Sequence, residues 1–179
     1  QHMSITEAAV ASISTGTYNA DPVHSSVGFD VHYMGIGLFS GSVADINATI
    51  DSGELSGSAR IASIHVKDEN LKGHLLSPEF FDAERYPEVT FSGTLNVTGT
   101  SVEVPGEITL KGVTQPATLR GTVTGPVTDP YGNARYGLKV STEIDRTAFG
   151  ITWNNDMPDG SKALDNVVTL SADLSLVKA

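Results

Sequence analysis

The sequence predicts an all-β protein, a single eight-stranded antiparallel up-and-down barrel with one short helical insertion. Three observations lead to this fold class. Eight segments alternate apolar and polar residues with a period of two, as half-buried strands do. Most connections between them have hairpin length, which makes neighbouring strands antiparallel. Many segments exceed the usual length of about five or six residues, and long tilted strands favour a closed barrel over a two-sheet sandwich.

The strands are predicted, in chain order, at 27–33, 44–51, 55–61, 89–97, 102–110, 119–123, 136–144 and 168–176. Residues that favour turns separate them, since glycine, proline, asparagine and aspartate each suit a tight reversal. These turns are predicted at 51–54, 98–100, 112–116 and 129–133.

Two segments interrupt the strand pattern. Residues 70–86 contain a helix predicted to begin at Ser77-Pro78-Glu79, with serine as the N-cap and proline in the first helical position. Residues 147–165 form a long loop that holds Trp153, the only tryptophan.

The first 16 residues are interpreted as a cloning scar at Gln1-His2-Met3 followed by an N-terminal arm, and residues 17–179 as one domain. The arm, 4–15, is expected to be a marginal helix or disordered. It lacks the basic start and the apolar block of a secretory signal. The expected location is therefore cytoplasmic, or periplasmic or secreted if a signal was removed in cloning.

Composition excludes several functions. The 179 residues carry 11 Lys and Arg against 21 Asp and Glu, a net charge of −10. This charge argues against nucleic acid and against electrostatic docking on anionic membranes. The absence of cysteine excludes disulfides, thiolate metal sites and thiol catalysis. No apolar run is long enough to span a membrane, so no stable membrane insertion is expected.

No catalytic or metal site is predicted. Asp21, His24 and Ser25 superficially suggest a triad, but their spacing fits a hydrogen-bonded turn that leads into a strand better. The histidines at 24, 32, 65 and 74 form no His-x-His pair and no metalloprotease motif. Polar histidines at the barrel rim are the simpler interpretation.

The predicted barrel interior contains many small residues. Aromatic residues make up only 7% of the chain, and the inward candidates include Gly28 or Gly57, Ala44, Ala48, Ala59, Gly93 and Gly121. Such an interior leaves void volume, and an apolar ligand would restore the lost dispersion contacts. The alternative is a filled core plugged by the aromatic rings of Phe29, Phe39, Phe91 and Phe149.

The insertion at 70–86 brings together bulky groups that need an apolar surface to cover. We interpret it as a lid or side wall at the barrel mouth; ordinary packing of a connecting helix is the alternative. Its bulky residues are His74, Leu75, Leu76, Phe80 and Phe81.

Several motifs in order resemble the YceI-like family of polyisoprenoid-binding, lipocalin-like proteins, from about Tyr18 to Leu176. The most diagnostic run is His74-Leu-Leu-Ser-Pro-Glu-Phe-Phe-Asp-Ala-Glu-Arg-Tyr-Pro87. The others are Asp21-x-x-His24-Ser25, Phe39-x-Gly41, Ser63-Ile64, Gly106-x-Ile-Thr-Leu-x-Gly-Val-Thr114 and Arg146-x-x-Phe149-Gly150.

The resemblance implies an extended barrel that holds a long isoprenoid or fatty chain in a hydrophobic tunnel. It also implies homodimers and, in many members, export to the periplasm. Local departures are Tyr18 in place of a frequent tryptophan, Ile108 in place of a frequent leucine, and Lys72-Gly73 in place of a charged pair.

The function predicted from these observations is a non-catalytic carrier for a polyisoprenoid, an isoprenoid quinone or a fatty-acyl chain, with no other cofactor. Its polar rim is predicted at His24, His32, His74 and Arg146. An enzyme of lipid or quinone metabolism, and a filled barrel used as an interaction module, are the alternatives. The apolar tunnel is predicted at Phe29, Val31, Phe39, Ile64, Leu75, Leu76, Phe80, Phe81, Phe91, Leu110, Phe149 and Trp153.

Overall fold

The computed structural model describes residues 12–179, so most of the predicted arm and the start of the chain lie outside the described residues. The described chain forms one α-helix, α1 (Glu69–Leu76), and three short 3₁₀ turns, at Ser12–Ser14, Ile61–Ser63 and Arg146–Phe149. Its strands are β1 Thr17–Ala20, β2 Ser26–Tyr33, β3 Gly37–Val43, β4 Ile46–Asp51, β5 Glu54–Arg60, β6 Ile64–His65, β7 Glu88–Thr94, β8 Asn96–Thr98, β9 Ser101–Leu110, β10 Val113–Thr128, β11 Ala134–Asp145 and β12 Leu164–Lys178.

These segments make eight barrel strands, because some follow each other along one line. β1 and β2 both pair with β12, through Ala20 with Leu176 and Val31 with Val168. In the same way β4 continues β3, β6 continues β5 and β8 continues β7. Each barrel strand pairs antiparallel with the next along the chain, and the last closes onto the first. The predicted eight-stranded up-and-down barrel with a helical insertion is confirmed.

The hairpin turns follow their sequence signals with one correction. Lys111 and Gly112 both have positive φ, 52° and 76°, as a two-residue hairpin turn of the favoured hand requires. The predicted turn at 112–116 is therefore too long, because Val113 already pairs with Leu110 and Pro116 pairs with Glu107. The strand predicted to begin at residue 119 begins at Val113.

The helix prediction at Ser77 is wrong. The Asp68 side chain accepts hydrogen bonds from the backbone N–H groups of Asn70 and Leu71, so the N-cap lies nine residues earlier. Ser77 instead ends α1, with an extended ψ of 165°. The following Pro78 explains this ending, since the residue before a proline avoids helical backbone angles.

The barrel interior is densely packed in the half that contains the turns at 52–53, 99–100 and 129–133. We call this the closed end. Tyr18 and Tyr136 pack edge to face there with ring centroids 5.1 Å apart. The fully buried side chains of this half are Ile13, Ile50, Val102, Val104, Val123, Leu138 and Leu176. This end anchors the fold and leaves the other half of the barrel for a cavity.

Gly121 lets β10 and β11 approach closely. A Cβ atom at this position would lie 1.7 Å from the Lys139 carbonyl oxygen, which belongs to the backbone and cannot move aside. We expect Gly121→Ala to lower the free energy of unfolding by about 2–3 kcal/mol through this overpacking. Urea denaturation measures the change, with Thr122→Ala as the exposed control. Equal stability of both variants would contradict this reason for the glycine.

Arg135 links two carboxylates at the closed end. Its Nη1 donates to Asp21 Oδ2 at 2.9 Å and its Nε donates to Asp129 Oδ2 at 2.7 Å. The bond from Arg135 and two backbone N–H donors hold the pKa of Asp129 at about 2. Bonds from His24 and then Arg135 lower the pKa of Asp21.

These lowered pKa values predict acid sensitivity. An aspartate whose folded pKa is depressed stabilises the fold above its unfolded pKa of about 3.9, and this contribution is lost as the pH falls toward the folded value. We expect the melting temperature to fall between about pH 4 and pH 2, and Arg135→Met to flatten this fall. Melting curves across the pH range measure both. An equally steep fall in Arg135→Met would contradict the assignment.

Candidate functional site

An apolar cavity of about 460 Å³ fills the barrel half opposite the closed end. We call this half the open end. The volume lies within the range of roughly 300–1,000 Å³ typical of small-molecule sites. Aliphatic residues dominate the wall, from Val27, Val31, Val43, Ile46, Leu55, Ile61, Ile64, Leu71, Leu75, Val89, Ile108, Leu110, Leu119, Val140, Ile144, Ile151, Leu164, Val168, Leu170 and Leu174.

Small residues in the strand register create this space. Ala48 pairs with Gly57, which pairs in turn with Phe91, and all three lie on the cavity wall. Ile46 and Ala59 pair in the adjoining inward row. Because successive inward residues face one interior, alanine and glycine here leave volume that larger side chains would fill.

The neighbouring part of the wall comes from β2 and β3. Val31 pairs with Phe39, and both side chains line the cavity with Phe29. The rings of Phe29 and Phe39 lie 5.8 Å apart, and Phe81 from the segment after α1 lies 6.5 Å from Phe29. Aromatic rings therefore line the part of the wall next to the small residues of β4 and β5.

The helical insertion covers the open end. Leu75 and Phe80 are buried, and Phe81 N–H donates to the Leu75 carbonyl at 3.0 Å, which folds the chain back after α1. The His74 ring lies 4.8 Å from Phe80 and 4.6 Å from Trp153, each edge to face. The insertion and the 147–165 loop thus meet over the cavity through one aromatic cluster.

Arg146 holds this loop in place. Only 4% of the residue is exposed, and its guanidinium donates to backbone carbonyl oxygens on both arms of the loop. The distances are 2.8 Å from Nε to Asp165, 2.9 Å from Nη1 to both Ile151 and Trp153, and 3.4 Å from Nη2 to Leu164. Burial lowers the pKa of Arg146, but an arginine keeps its charge in proteins.

Polar groups on the cavity wall are few. His74 Nε2 lies 2.7 Å from Glu79 Oε2, and the remaining polar wall residues are Tyr33, Asn47, Ser58, Thr90, Arg146, Asn155 and Ser171. His74 and Arg146 are the two predicted rim residues that reach the cavity. With so little polarity, the wall selects a ligand by apolar burial and shape.

The structure places the predicted tunnel residues as follows. Ten of the twelve line the cavity, and the exceptions are Leu76, which is half-buried, and Phe149, which packs in the core. On the predicted rim, His24 lies in the β1–β2 turn against Asp21 at 2.7 Å, and His32 is exposed on the outer face of β2. Neither histidine lies on the cavity wall.

Some of the small inward candidates also lie elsewhere. Gly28, Ala48, Gly57 and Ala59 line the cavity, whereas Ala44, Gly93 and Gly121 do not. Ala44 is exposed because it lies at the break between β3 and β4. Most of the wall residues that sequence reasoning missed, such as Leu170, follow the strand alternation that places every second residue inside.

Within residues 12–179, no group of three or more histidine, aspartate or glutamate side chains has the arrangement of a metal site. No helix in this part of the chain is long and apolar enough to cross a membrane.

A closed antiparallel barrel with an apolar interior and a covered open end defines a lipocalin-like barrel. Comparison with known proteins gives its family: a model described as a YceI-like domain matches residues 18–176. The chain belongs to the YceI-like family. It is 27% identical over 155 residues to a UPF0312 protein of Enterobacter sp. (strain 638), covering 82% of this chain and 80% of that protein.

Solved structures share the fold at low identity. The crystal structure of BcnA from Burkholderia cenocepacia has a TM-score of 0.70 at 18% identity, and the match covers 87% of this chain and 98% of BcnA. A polyisoprenoid-binding domain from Saccharophagus degradans, implicated in plant cell wall breakdown, has a TM-score of 0.71 at 14% identity, covering 90% and 98% of the two chains.

Proposed function

We propose that this protein binds one long apolar chain, a polyisoprenoid, an isoprenoid quinone or a fatty-acyl chain, inside the open end of the barrel. The observation that carries the proposal is the 460 Å³ cavity with its almost wholly apolar wall. Burying apolar surface contributes about 25 cal/mol per Å² before the costs of association. The polyisoprenoid-binding domain of similar fold supports the same ligand class.

In this proposal the protein carries its ligand without changing it. The two predicted rim residues on the cavity wall already have structural partners. The His74 ring is hydrogen-bonded to Glu79, and the Arg146 guanidinium donates to four backbone carbonyl groups of the loop. We therefore assign them to the rim and the cover: His74 meets the polar end of the ligand, and Arg146 fixes the Trp153 loop.

Native mass spectrometry of the purified protein, followed by organic extraction, tests this function. We expect one apolar molecule per chain that survives gentle ionisation and is released into organic solvent. Protein that carries no such molecule, and that takes up none when incubated with a polyprenol and a fatty acid, would contradict the proposal.

Trp153 gives a second readout because it is the only tryptophan and lies on the cavity wall. We expect dibromostearic acid to quench its emission in delipidated protein, since the bromine atoms would come into contact with the indole. Unlabelled stearic acid should compete and restore the emission. Equal quenching by a water-soluble bromide at the same low concentration would show that the effect is not due to the cavity.

A further inference from the structure

The hairpin between β2 and β3 exposes an uncharged apolar tip beside the open end. Ile36 is 92% exposed, Leu38 60% and Met34 42%. Residues 33–38 contain no charged side chain, and Gly35 and Gly37 flank the isoleucine. Bulky apolar side chains that share one exposed protrusion indicate a surface that contacts something apolar.

This tip is continuous with the cavity. Tyr33 is 40% exposed on the hairpin and also lines the cavity, so one residue joins the two surfaces. Val167, which is 42% exposed, lies on the neighbouring strand β12. The next residue of that strand, Val168, pairs with Val31 of β2. An apolar chain that leaves the cavity at Tyr33 would emerge next to the tip.

The other exposed large apolar residues lie in a different setting. Val23, Val127 and Tyr131 surround the closed end, where Asp21, Asp129 and Arg135 form their charged network. Within the described residues, the open end therefore has the one exposed hairpin on which three large apolar side chains are grouped without a charged residue between them. The closed end supplies matched control positions.

The size and charge of the tip favour a lipid bilayer over a protein partner. A standard protein interface takes about 20–30 residues from each side, whereas the tip presents four large apolar side chains and Val167 adds a fifth. A few such side chains suffice for shallow insertion at the boundary between headgroups and acyl chains. The net charge of −10 opposes binding to anionic lipids and leaves a neutral, zwitterionic surface.

We propose that the β2–β3 tip docks the open end of the barrel onto a zwitterionic bilayer, so that the apolar chain passes between membrane and cavity past Tyr33. This inference rests on the proposed function and adds the membrane as the source and destination of the ligand. Docking uses Ile36, Leu38 and Met34 as a shallow anchor.

Flotation with phosphatidylcholine vesicles tests the docking. We expect the full chain to float with the vesicles, and Ile36→Ser/Leu38→Ser to reduce the bound fraction by at least about tenfold, because two large side chains no longer insert. Val23→Ser, at an 83% exposed position near the closed end, should bind like the wild type. Vesicles containing phosphatidylserine should bind less protein than phosphatidylcholine alone.

The outcomes separate docking from ligand binding when the same proteins are also examined by native mass spectrometry. Loss of flotation in the tip variant with its apolar ligand retained supports the proposal. No flotation of the wild type, or equal flotation of the tip variant, overturns docking and leaves the ligand function standing. A concentration-dependent dimer that is lost in the tip variant without any vesicle binding also overturns it, because the tip then binds a second copy of the chain.

Discussion

Arg146→Met is expected to lower the free energy of unfolding by about 3–5 kcal/mol, because the buried guanidinium is removed and four loop carbonyl groups lose their only charged donor. The four acceptors lie on both arms of the 147–165 loop. Methionine keeps much of the side-chain length and removes every donor. Urea denaturation measures the loss, and the loop should become sensitive to limited proteolysis.

Arg120→Met is the matched control for this prediction. Arg120 lies on the outer face with its side chain 66% exposed and 3.3 Å from Glu103. Exposed ion pairs contribute little, so a change within about 0.5 kcal/mol is expected. If Arg146→Met were as stable as Arg120→Met, the loop would not depend on the buried guanidinium.

Ala48→Phe is expected to abolish ligand binding. Ala48 lies opposite Gly57 on the cavity wall, so a phenyl ring there projects into the space that the apolar chain would occupy. We expect the amount of extracted ligand per chain to fall more than about tenfold, since most of the buried contact area is lost. Extraction followed by quantitative mass spectrometry measures the ratio to wild type.

Ser56→Phe places the same ring on the other side of the wall. Ser56 is exposed on β5, next to Gly57 in sequence, and faces away from the cavity. This variant should retain its ligand. Ala48→Leu gives a milder filling with an intermediate loss, which keeps the series informative if the phenylalanine disturbs folding. Equal ligand content in Ala48→Phe and Ser56→Phe would place the ligand outside this cavity.

The barrel could be predicted because period-two alternation and hairpin turns are local signals. The strand Gly37–Val43 gives only a weak local signal, since Gly37 and Gly41 occupy two of its inward positions and the apolar Leu38 lies on its exposed face. The four-residue strand Thr17–Ala20 was missed because such a short segment shows little alternation. Both are held by pairing with distant strands, which no local pattern reveals.

The helix and the rim show where sequence reasoning failed. Ser77-Pro78-Glu79 matches the start of a helix, but Asp68 offers a better cap and places α1 before the proline. His32 was assigned to the rim although it alternates with Val31, which faces the cavity, so its side chain belongs outside. The structural role of Arg146 depends on carbonyls from residues 151–165 and cannot be read from one motif.

A crystal structure of the protein with its co-purified ligand tests the central claim most directly. The account predicts continuous electron density for one apolar chain that runs from the small residues Ala48 and Gly57 to the aromatic cover at Trp153. Density for ordered water alone in this cavity, with the extracted lipid bound on the outer surface or absent from the protein, would contradict it.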